Sequence, residues 1–178
     1  MATPLNIIYE DNHLVAVNKR PGDLVQGDKT GDLALPELIK SYLKEKFNKP
    51  GNVFCGVIHR LDRPTTGVVL FARTSKGLER MNKAFKERQT QKTYWAVVEG
   101  QLRGKNDLKH YLKKNSKNNK AIVFKRPEEG AKEARLSYTV LKTGDNYSLV
   151  EVELHTGRHH QIRAQFSAIG HAIKGDVK

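Results

Sequence analysis

The sequence has a single cysteine, Cys55, among 178 residues. One cysteine excludes an internal disulfide and any zinc or iron–sulfur site built from several cysteines. Cys55 stands in an apolar stretch, where a cysteine usually serves as a small buried hydrophobic side chain. We therefore expect it to pack in a core and to have no redox function.

Long apolar runs are also missing. No stretch approaches the roughly 20 residues that a membrane-spanning helix needs. The first residues lack the basic and apolar blocks of a signal peptide. With 38% hydrophobic and 29% charged residues, the composition is typical of a globular protein. We expect one soluble, cytoplasmic domain over residues 1–178, and a monomer.

Acidic residues are scarce, with 19 against 32 lysines and arginines, which gives a formal net charge of +13. Residues 1–58 hold 7 basic and 7 acidic residues, whereas residues 59–178 hold 25 and 12. The excess charge therefore belongs to the second two-thirds of the chain. Its densest part, residues 103–126, has nine basic residues and one acidic residue. Such a run either binds a phosphate backbone or forms a solvated, mobile loop.

The spacing of apolar residues predicts an α+β fold with a mixed, mostly antiparallel sheet and flanking helices. Residues 6–10 and 14–18 are β-prone and suggest a hairpin around Asp11-Asn12. The remaining predicted strands are residues 53–58, 68–72, 92–99, 136–141 and 147–155.

Three segments have helical spacing. The first runs from Leu35 to about residue 48, with Asp32 as its N-cap, and the second is capped by Ser75. The third follows Gly157, with Ile162, Phe166 and Ile169 facing inward.

A polar segment, residues 59–67 (HRLDRPTTG), connects two predicted buried strands. It sets Asp62 among His59, Arg60 and Arg63, and nearby cations favour an ionised aspartate. Such a carboxylate can be a nucleophile or can stabilise a developing charge. The alternative is a salt-bridged aspartate in a turn.

A second basic cluster lies near the end of the sequence, at residues 154–163. Its adjacent His159 and His160 suggest zinc, but neighbouring residues on a helix point to different faces, and a third ligand at short spacing is missing. Arg163 follows His159 by one helical turn, so it is either beside a ligand bound at the helix start or exposed to solvent.

Together these segments resemble the RluA-type family of RNA pseudouridine synthases, and the match runs through essentially the whole chain. The family signature of His-Arg-Leu-Asp followed by Thr-Ser-Gly is similar to residues 59–67. A lysine, one residue and a tyrosine occur at residues 92–94, and a Thr-Gly-Arg-Thr-His-Gln-Ile-Arg stretch is matched by residues 156–163. A turn like Asn-Lys-Pro occurs at residues 18–22.

The resemblance implies that the protein isomerises uridine to pseudouridine in structured ribosomal or transfer RNA, in a central RNA-binding cleft. Asp62 would be the nucleophile, attacking either C1′ of the ribose or C6 of the base. Tyr94 would stack on the base and assist proton removal, and Arg163 would pair with Asp62 and aim it. Arg60 would fill the gap left by the flipped uridine. The reaction implies neither a cofactor nor a metal.

The RNA-binding residues expected from the resemblance and from the basic clusters are His59, Arg60, Arg63, Lys92, Lys109, Lys113, Lys114 and Arg158.

The sequence departs from the family pattern at a few positions. Thr66 replaces a serine and His159 replaces a threonine. Because few residues precede Leu5, we expect the S4-type RNA-binding domain of many relatives to be missing. Residues 170–178 match the beginning of a family segment that normally continues, so we expect a catalytic domain that lacks its C-terminal end.

Two other functions are compatible with parts of the sequence. One is a basic RNA-binding protein without catalysis, for example a folding chaperone. The other is a metal-dependent hydrolase that uses His59, Asp62, His159 and His160.

Overall fold

The computed structural model describes residues 5–28, 30–116 and 119–176. By internal contacts the chain divides into two compact units, Met1–Gln89 and Thr90–Lys178. Within the described residues no helix is both long and apolar enough to cross a membrane.

The first unit contains a four-stranded sheet and two helices. Its elements are β1 (Ile7–Glu10), β2 (Leu14–Lys19), α1 (Leu35–Lys46), β3 (Gly56–Val57), β4 (Gly67–Ala72) and α2 (Ser75–Lys86). The strands lie in the order β1-β2-β4-β3, with antiparallel ladders between neighbours. Of the predicted strand at 53–58, only Gly56 and Val57 pair in a ladder, opposite Ala72 and Phe71 of β4.

The hairpin predicted around Asp11 is confirmed. The Asp11 carboxylate accepts backbone hydrogen bonds from His13 (2.7 Å) and Leu14 (2.6 Å), which is the turn geometry that aspartate favours. Three hydrogen bonds lower the pKa of Asp11. The largest effect comes from the His13 amide, and smaller effects come from the Tyr9 hydroxyl and the Leu14 amide.

The core of the first unit lies between the sheet and α1. Leu35, Ile39 and Leu43 are buried at the predicted helical spacing, and they pack on strand residues that include Val17 and Phe71. Cys55 packs at the margin of this core as predicted, and burial raises the pKa of its thiol to about 12. The thiol is therefore neutral at physiological pH.

Both predicted helix caps are wrong. Helix α1 follows Ala34, and the Leu35 amide donates to the Leu24 carbonyl (2.7 Å), so a side-chain cap is not needed there. Asp32 instead binds Arg63. At α2 the cap is Thr74, whose hydroxyl oxygen accepts a bond from the Gly77 amide (3.1 Å). Ser75 is the first helical residue.

The second unit is a five-stranded sheet with one helix. Its elements are β5 (Thr93–Glu99), β6 (Lys105–Asn115), β7 (Lys120–Phe124), β8 (Lys132–Thr143), β9 (Tyr147–Leu154) and α3 (Gln161–Ala168). The order is β5-β9-β8-β6-β7, and every ladder is antiparallel. The predicted α+β class is confirmed, with the strands divided between two sheets.

The basic run at 103–126 is a β-hairpin, so the mobile-loop alternative is wrong for its described residues. Leu108, His110 and Leu112 of β6 are buried, while Lys109 between them and Lys113 after them are exposed. Alternating side chains on a strand let one face join the core while the other carries charge. Lys117 of this run lies outside the described residues.

Helix α3 covers one face of the five-stranded sheet. Phe166 is fully buried against Val98, Leu136, Val150 and other strand residues, and its ring meets that of Tyr138 at 5.2 Å. Ile162 and Ile169 are half-buried in the same cluster. The predicted inward face of this helix is therefore confirmed.

Glu10 joins β1 to α1 and to the end of β4. Its carboxylate accepts from Arg73 (2.9 Å), Tyr42 (2.8 Å) and Lys46 (3.1 Å), and the Arg73 side chain is only 8% exposed. Burial tends to raise the pKa of Glu10, but the Tyr42 and Lys46 hydrogen bonds and the Arg73 charge outweigh it and lower the pKa.

We predict that Glu10→Gln lowers the free energy of unfolding by about 3 kcal/mol at pH 7, because it leaves the buried Arg73 charge unpaired. A lowered pKa means that the ionised group stabilises the fold above its ordinary pKa and that this contribution is lost as the pH falls. The difference from wild type should therefore shrink below pH 4.5. Urea unfolding over a pH series measures it.

Glu37→Gln is the matched control, because the Glu37–Lys40 pair is exposed on α1. It should change stability by less than about 1 kcal/mol. Equal losses for the two variants would contradict the role assigned to Glu10.

Candidate active site

Asp62 lies in the loop between β3 and β4, residues 58–66, called here the Asp62 loop. The Thr65 amide donates to the Asp62 carbonyl (3.0 Å), which closes a turn through Pro64. At the end of the loop Gly67 has φ +123°, a backbone conformation that other residues rarely adopt. The turn and the glycine give the loop a defined shape, and Asp62 itself is half-buried.

The Asp62 loop is anchored by Lys19. This lysine belongs to the Asn-Lys-Pro-like turn at residues 18–22, and the sequence predicted no function for it. Lys19 ends β2 and is only 1% exposed. Its ammonium donates to the carbonyl oxygens of Arg20 (3.0 Å), Arg63 (2.8 Å) and Thr65 (2.7 Å). The signal available in the sequence was a lysine closing an apolar strand, at a position that alternation places inward.

Burial lowers the pKa of Lys19. The charges of Asp23 and Asp62 oppose this shift, and the charge of Arg63 adds to it. The carbonyl oxygens compensate the ammonium for lost hydration, because a buried charge is tolerated only when it is hydrogen-bonded.

Arg63 points away from the loop toward the segment before α1. Its Nη2 donates to Asp32 Oδ2 (2.5 Å) and its Nε to the Gly22 carbonyl (3.2 Å). The Gly22 amide in turn donates to the Arg63 carbonyl (2.9 Å). The residue predicted to bind RNA is thus also a link between the Asp62 loop and residues 22–32.

His59 and Arg60 begin the predicted motif and have different surroundings. The Leu70 amide donates to His59 Nε2 (3.1 Å), and the His59 ring stacks on Phe85 of α2 at 5.2 Å. Arg60 is exposed, with Nη1 3.4 Å from Gln26 Oε1. Arg60 therefore presents its guanidinium to solvent, whereas His59 fastens the loop to β4 and α2.

In the second unit, Lys92 and Tyr94 face the same side, as the two-residue period predicts. Tyr94 is half-buried against the core cluster of the sheet, and Lys92 is half-buried just before β5. On the opposite face Trp95 is 70% exposed, and its indole donates to Glu151 Oε2 (3.0 Å).

The buried side-chain amide of Gln161 holds the segment before α3 by hydrogen bonds. Gln161 Oε1 accepts from the Thr156 hydroxyl (2.8 Å) and the Arg158 amide (2.9 Å), while its Nε2 donates to the Arg135 carbonyl (3.0 Å). The Arg158 guanidinium donates to the Glu133 carbonyl (2.8 Å). These bonds tie residues 156–161 to β8.

Arg163 stands in the first turn of α3 and binds Asp176. Its Nε donates to Asp176 Oδ2 (2.6 Å) and its Nη2 to Oδ1, and both side chains are less than 20% exposed. A bidentate pair holds a guanidinium in one orientation.

The expectation that His159 and His160 face different sides of a helix is wrong. His160 precedes α3 in a left-handed conformation (φ 50°), and the two rings stack with centroids 3.7 Å apart. In the part of the chain that the structure describes, no group of three or more His, Cys, Asp or Glu is placed to hold a metal ion.

The predicted RNA-binding lysines of β6 lie on its exposed face or near its end. Lys109 Nζ is 3.2 Å from Glu133 Oε2, and Lys113 Nζ donates to the Glu129 carbonyl (3.1 Å). Lys114 is exposed.

A family model described as RNA pseudouridylate synthase matches residues 13–168. The matched range includes the Asp62 loop, Lys92, Tyr94 and the segment before α3. The chain belongs to the RNA pseudouridine synthase family.

Individual members of the family are similar over nearly all of this chain. Identity is 36% with tRNA pseudouridine synthase C of Haemophilus influenzae, covering 98% of this chain and 75% of the relative. It is 34% with an uncharacterised RNA pseudouridine synthase of Aquifex aeolicus and 31% with ribosomal large subunit pseudouridine synthase D of Zymomonas mobilis. Those two matches each cover 97% of this chain and 55% of the relative. The chain thus spans three-quarters of one relative and about half of the others.

Solved structures of pseudouridine synthase domains have the same fold. Human RNA Pseudouridylate Synthase Domain Containing 4 aligns with a TM-score of 0.81 at 25% identity, over 96% of this chain and 67% of that one. Human RNA Pseudouridylate Synthase Domain Containing 1 aligns with a TM-score of 0.77 at 26% identity, over 97% and 68%. The pseudouridine synthase fold expected from the motifs is confirmed.

We predict that Gln161→Leu lowers the free energy of unfolding of the protein by about 2 kcal/mol, because buried donors and acceptors around residues 156–161 lose their partner. Urea denaturation measures the change. Ser167→Ala, on the exposed side of the same helix, should stay within about 0.5 kcal/mol of wild type. A Gln161→Leu variant as stable as wild type would show that these hydrogen bonds do not hold the segment.

Proposed function

We propose that the protein isomerises specific uridines to pseudouridine in structured RNA. The family match over residues 13–168 carries this proposal, because it spans the motifs that contain Asp62, Tyr94 and Arg163. The named relatives act on two classes of RNA, transfer RNA in one case and the large ribosomal subunit in another. We therefore propose ribosomal or transfer RNA as the substrate.

The proposed reaction begins with the target uridine leaving its helix. Its reacting atoms are inaccessible in a stack, and flipping costs a few kcal/mol. Arg60, exposed at the start of the Asp62 loop, is suited to replace the lost stacking, because a planar guanidinium stacks on bases.

Asp62 then attacks the nucleotide at C1′ or at C6, and the glycosidic bond between N1 and C1′ breaks. The base rotates, C5 bonds to C1′, and the bond between Asp62 and the nucleotide breaks, which restores the carboxylate. The proton on C5 is lost while N1 gains one. By the family pattern, Tyr94 stacks on the base and assists proton removal, and Arg163 aims Asp62. Atoms and electrons balance within the nucleotide, so the reaction requires no group donor.

Positive charge on the second unit supports RNA binding. Lys92, Lys109, Lys113, Lys114 and Arg158 supply part of the excess of basic residues after residue 58. Lysines that neutralise phosphates release counterions, which gives affinity without sequence readout. Recognition of the target uridine then depends on RNA shape.

We predict that Asp62→Asn lowers pseudouridine formation more than about 1,000-fold, because it removes the nucleophile. RNA affinity should stay within about threefold, since the substitution only removes a negative charge. Release of tritium from C5 of labelled RNA measures turnover, and a filter-binding titration measures affinity.

Asp145→Asn is the control for the same chemical change, because Asp145 is exposed in the turn between β8 and β9. It should retain wild-type turnover. An Asp62→Asn variant as active as wild type would reject Asp62 as the nucleophile, and a wild-type protein that binds RNA without forming pseudouridine would favour a non-catalytic RNA-binding protein.

We also predict that replacing Lys109, Lys113 and Lys114 together by alanine weakens RNA binding and makes it less dependent on salt. The slope of log affinity against log salt should fall by about 2, at roughly 0.7 per phosphate contact. Titrations at several salt concentrations measure it. The triple arginine variant keeps the charges and should keep the slope. An unchanged slope in the alanine variant would place the phosphate contacts elsewhere.

A further inference from the structure

The exposed face of helix α2 carries a row of cations, Lys76, Arg80 and Lys83, called here the α2 row. They follow one another at i, i+4 and i+7, which places them on one face of the helix, and all three residues are exposed. In α2 four residues are basic and one, Glu79, is acidic, whereas α1, also of 12 residues, has three basic and two acidic residues. The positive charge of the two helices is therefore concentrated on α2.

The other face of α2 packs on the protein. Leu78 lies against Gly56 of β3, and the Phe85 ring stacks at 5.2 Å on His59, which precedes Asp62 by three residues. This apolar face is therefore not free to enter a lipid surface, as amphipathic helices do when they bind membranes. The stack also sets the last turn of α2 against the Asp62 loop, so an RNA whose uridine reaches that loop passes close to the helix.

Carboxylates of the protein leave the α2 row largely unneutralised. Among the described residues, the one carboxylate within 4.0 Å of the row is that of Glu87, 4.0 Å from Lys83 Nζ, and these side chains are 42% and 72% exposed. In α1, by contrast, Lys40 Nζ lies 2.8 Å from Glu37 Oε1. The charge of the α2 row is thus available to an external anion.

The helix dipole opposes one member of the row. The N-terminus of a helix favours anions and disfavours cations, and the C-terminus does the reverse. The first turn of α1 contains Glu37, whereas the first turn of α2 contains Lys76 and no acidic residue. The dipole accounts for Lys83 in the last turn of α2 but not for Lys76. A cation at a position where it destabilises its own helix indicates a function outside the helix.

We propose that the α2 row binds the phosphate backbone of the RNA beside the segment that presents its uridine to Asp62. This inference rests on the proposed function. Lysine and arginine neutralise phosphates and position the nucleic acid without reading its bases. The row therefore contributes to RNA affinity and leaves the chemical step unchanged.

The test replaces Lys76, Arg80 and Lys83 together by glutamine, whose helix propensity is similar. In filter-binding titrations with unfractionated transfer RNA and with a ribosomal RNA transcript, the slope of log affinity against log salt should fall by about 2, at roughly 0.7 per phosphate contact. The KM should rise while kcat stays within about twofold, because the contact is made equally before and during the reaction.

The matched control replaces Lys40, Lys44 and Lys49 together by glutamine. It removes the same number of positive charges from α1 and the residues just after it, in the same unit. It should keep the wild-type slope and KM, which separates a local contact from the effect of net charge. A variant with arginine in place of both lysines of the α2 row keeps the charges and should also keep the slope.

The single substitution Lys76→Glu separates binding from folding. Glutamate is favoured in the first turn of a helix, so the melting temperature should equal or exceed that of wild type. RNA affinity should nevertheless fall, because the substitution reverses a charge that faces the phosphates. Thermal unfolding and the same titrations measure the two quantities.

The proposal is overturned if the glutamine variant of the α2 row keeps the wild-type slope, if the α1 variant loses as much, or if the loss appears in kcat. A Lys76→Glu variant that loses affinity together with melting temperature would assign the residue to stability and would also overturn it. Wild-type protein that binds RNA but makes no pseudouridine would reject the proposed function instead, and the titrations would still decide whether α2 binds the backbone.

Discussion

The first unit depends on the buried ammonium of Lys19. Among the described residues, its hydrogen-bond acceptors are backbone carbonyl oxygens and not carboxylates. The Lys19 ammonium is accommodated because three carbonyl oxygens converge on it, and that convergence requires β2 and β4 to pair in a single register, with Lys19 opposite Gly67. A slip by one residue would turn Lys19 to the other face of the sheet. The cost of an unsatisfied ammonium therefore selects both the strand register and the conformation of the Asp62 loop.

The second unit buries neutral amides instead of a charge. Gln161 and Gln165 of α3 are buried, and Gln165 Nε2 lies within hydrogen-bond distance of the Leu108 and Ala134 carbonyls and of His110 Nδ1 (3.1 to 3.3 Å). Burial lowers the pKa of His110, with a smaller contribution from the Lys125 charge, so the ring stays neutral and can accept this bond. The helix is held to β6 and β8 by directional contacts as well as by Phe166.

Patterns that repeat along the sequence predicted most of the fold. The helical spacing of Leu35, Ile39 and Leu43 and the inward position of Phe166 follow from local periodicity, as does the shared face of Lys92 and Tyr94. The predicted caps were wrong because Asp32 and Ser75 are suitable cap residues by type alone. Tertiary contacts show that Asp32 binds Arg63 and that the Leu35 amide donates to the Leu24 carbonyl instead.

The candidate site was likewise predicted only in part from the sequence. The sequence predicted that Asp62 lies in a loop between two strands, because a polar run between two apolar runs is a local pattern typical of such a loop. The sequence signal for Lys19, a lysine that closes an apolar strand, indicates burial but not its partners. Two of its three acceptors are backbone carbonyls more than 40 residues away, and a carbonyl carries no residue-specific signal. The hairpin of β6 and β7 was missed because lysines at alternate positions give the composition of a solvated loop while Leu108 and Leu112 enter the core.

Not every basic residue is equally available to bind RNA. The contacts that each one makes within the protein determine how easily it can bind a phosphate. Lys109 pairs with Glu133 at the surface, with side chains 59% and 41% exposed, and such pairs contribute at most about 1 kcal/mol. A phosphate can therefore replace that carboxylate at little cost. Arg158 is half-buried and bonded to the Glu133 carbonyl, so recruiting it would leave that carbonyl without its donor. Exposed lysines of β6 are thus the phosphate contacts that the fold can most easily release, whereas Lys19 and Arg158, which are buried or half-buried and bonded to carbonyl oxygens, hold segments of the protein itself.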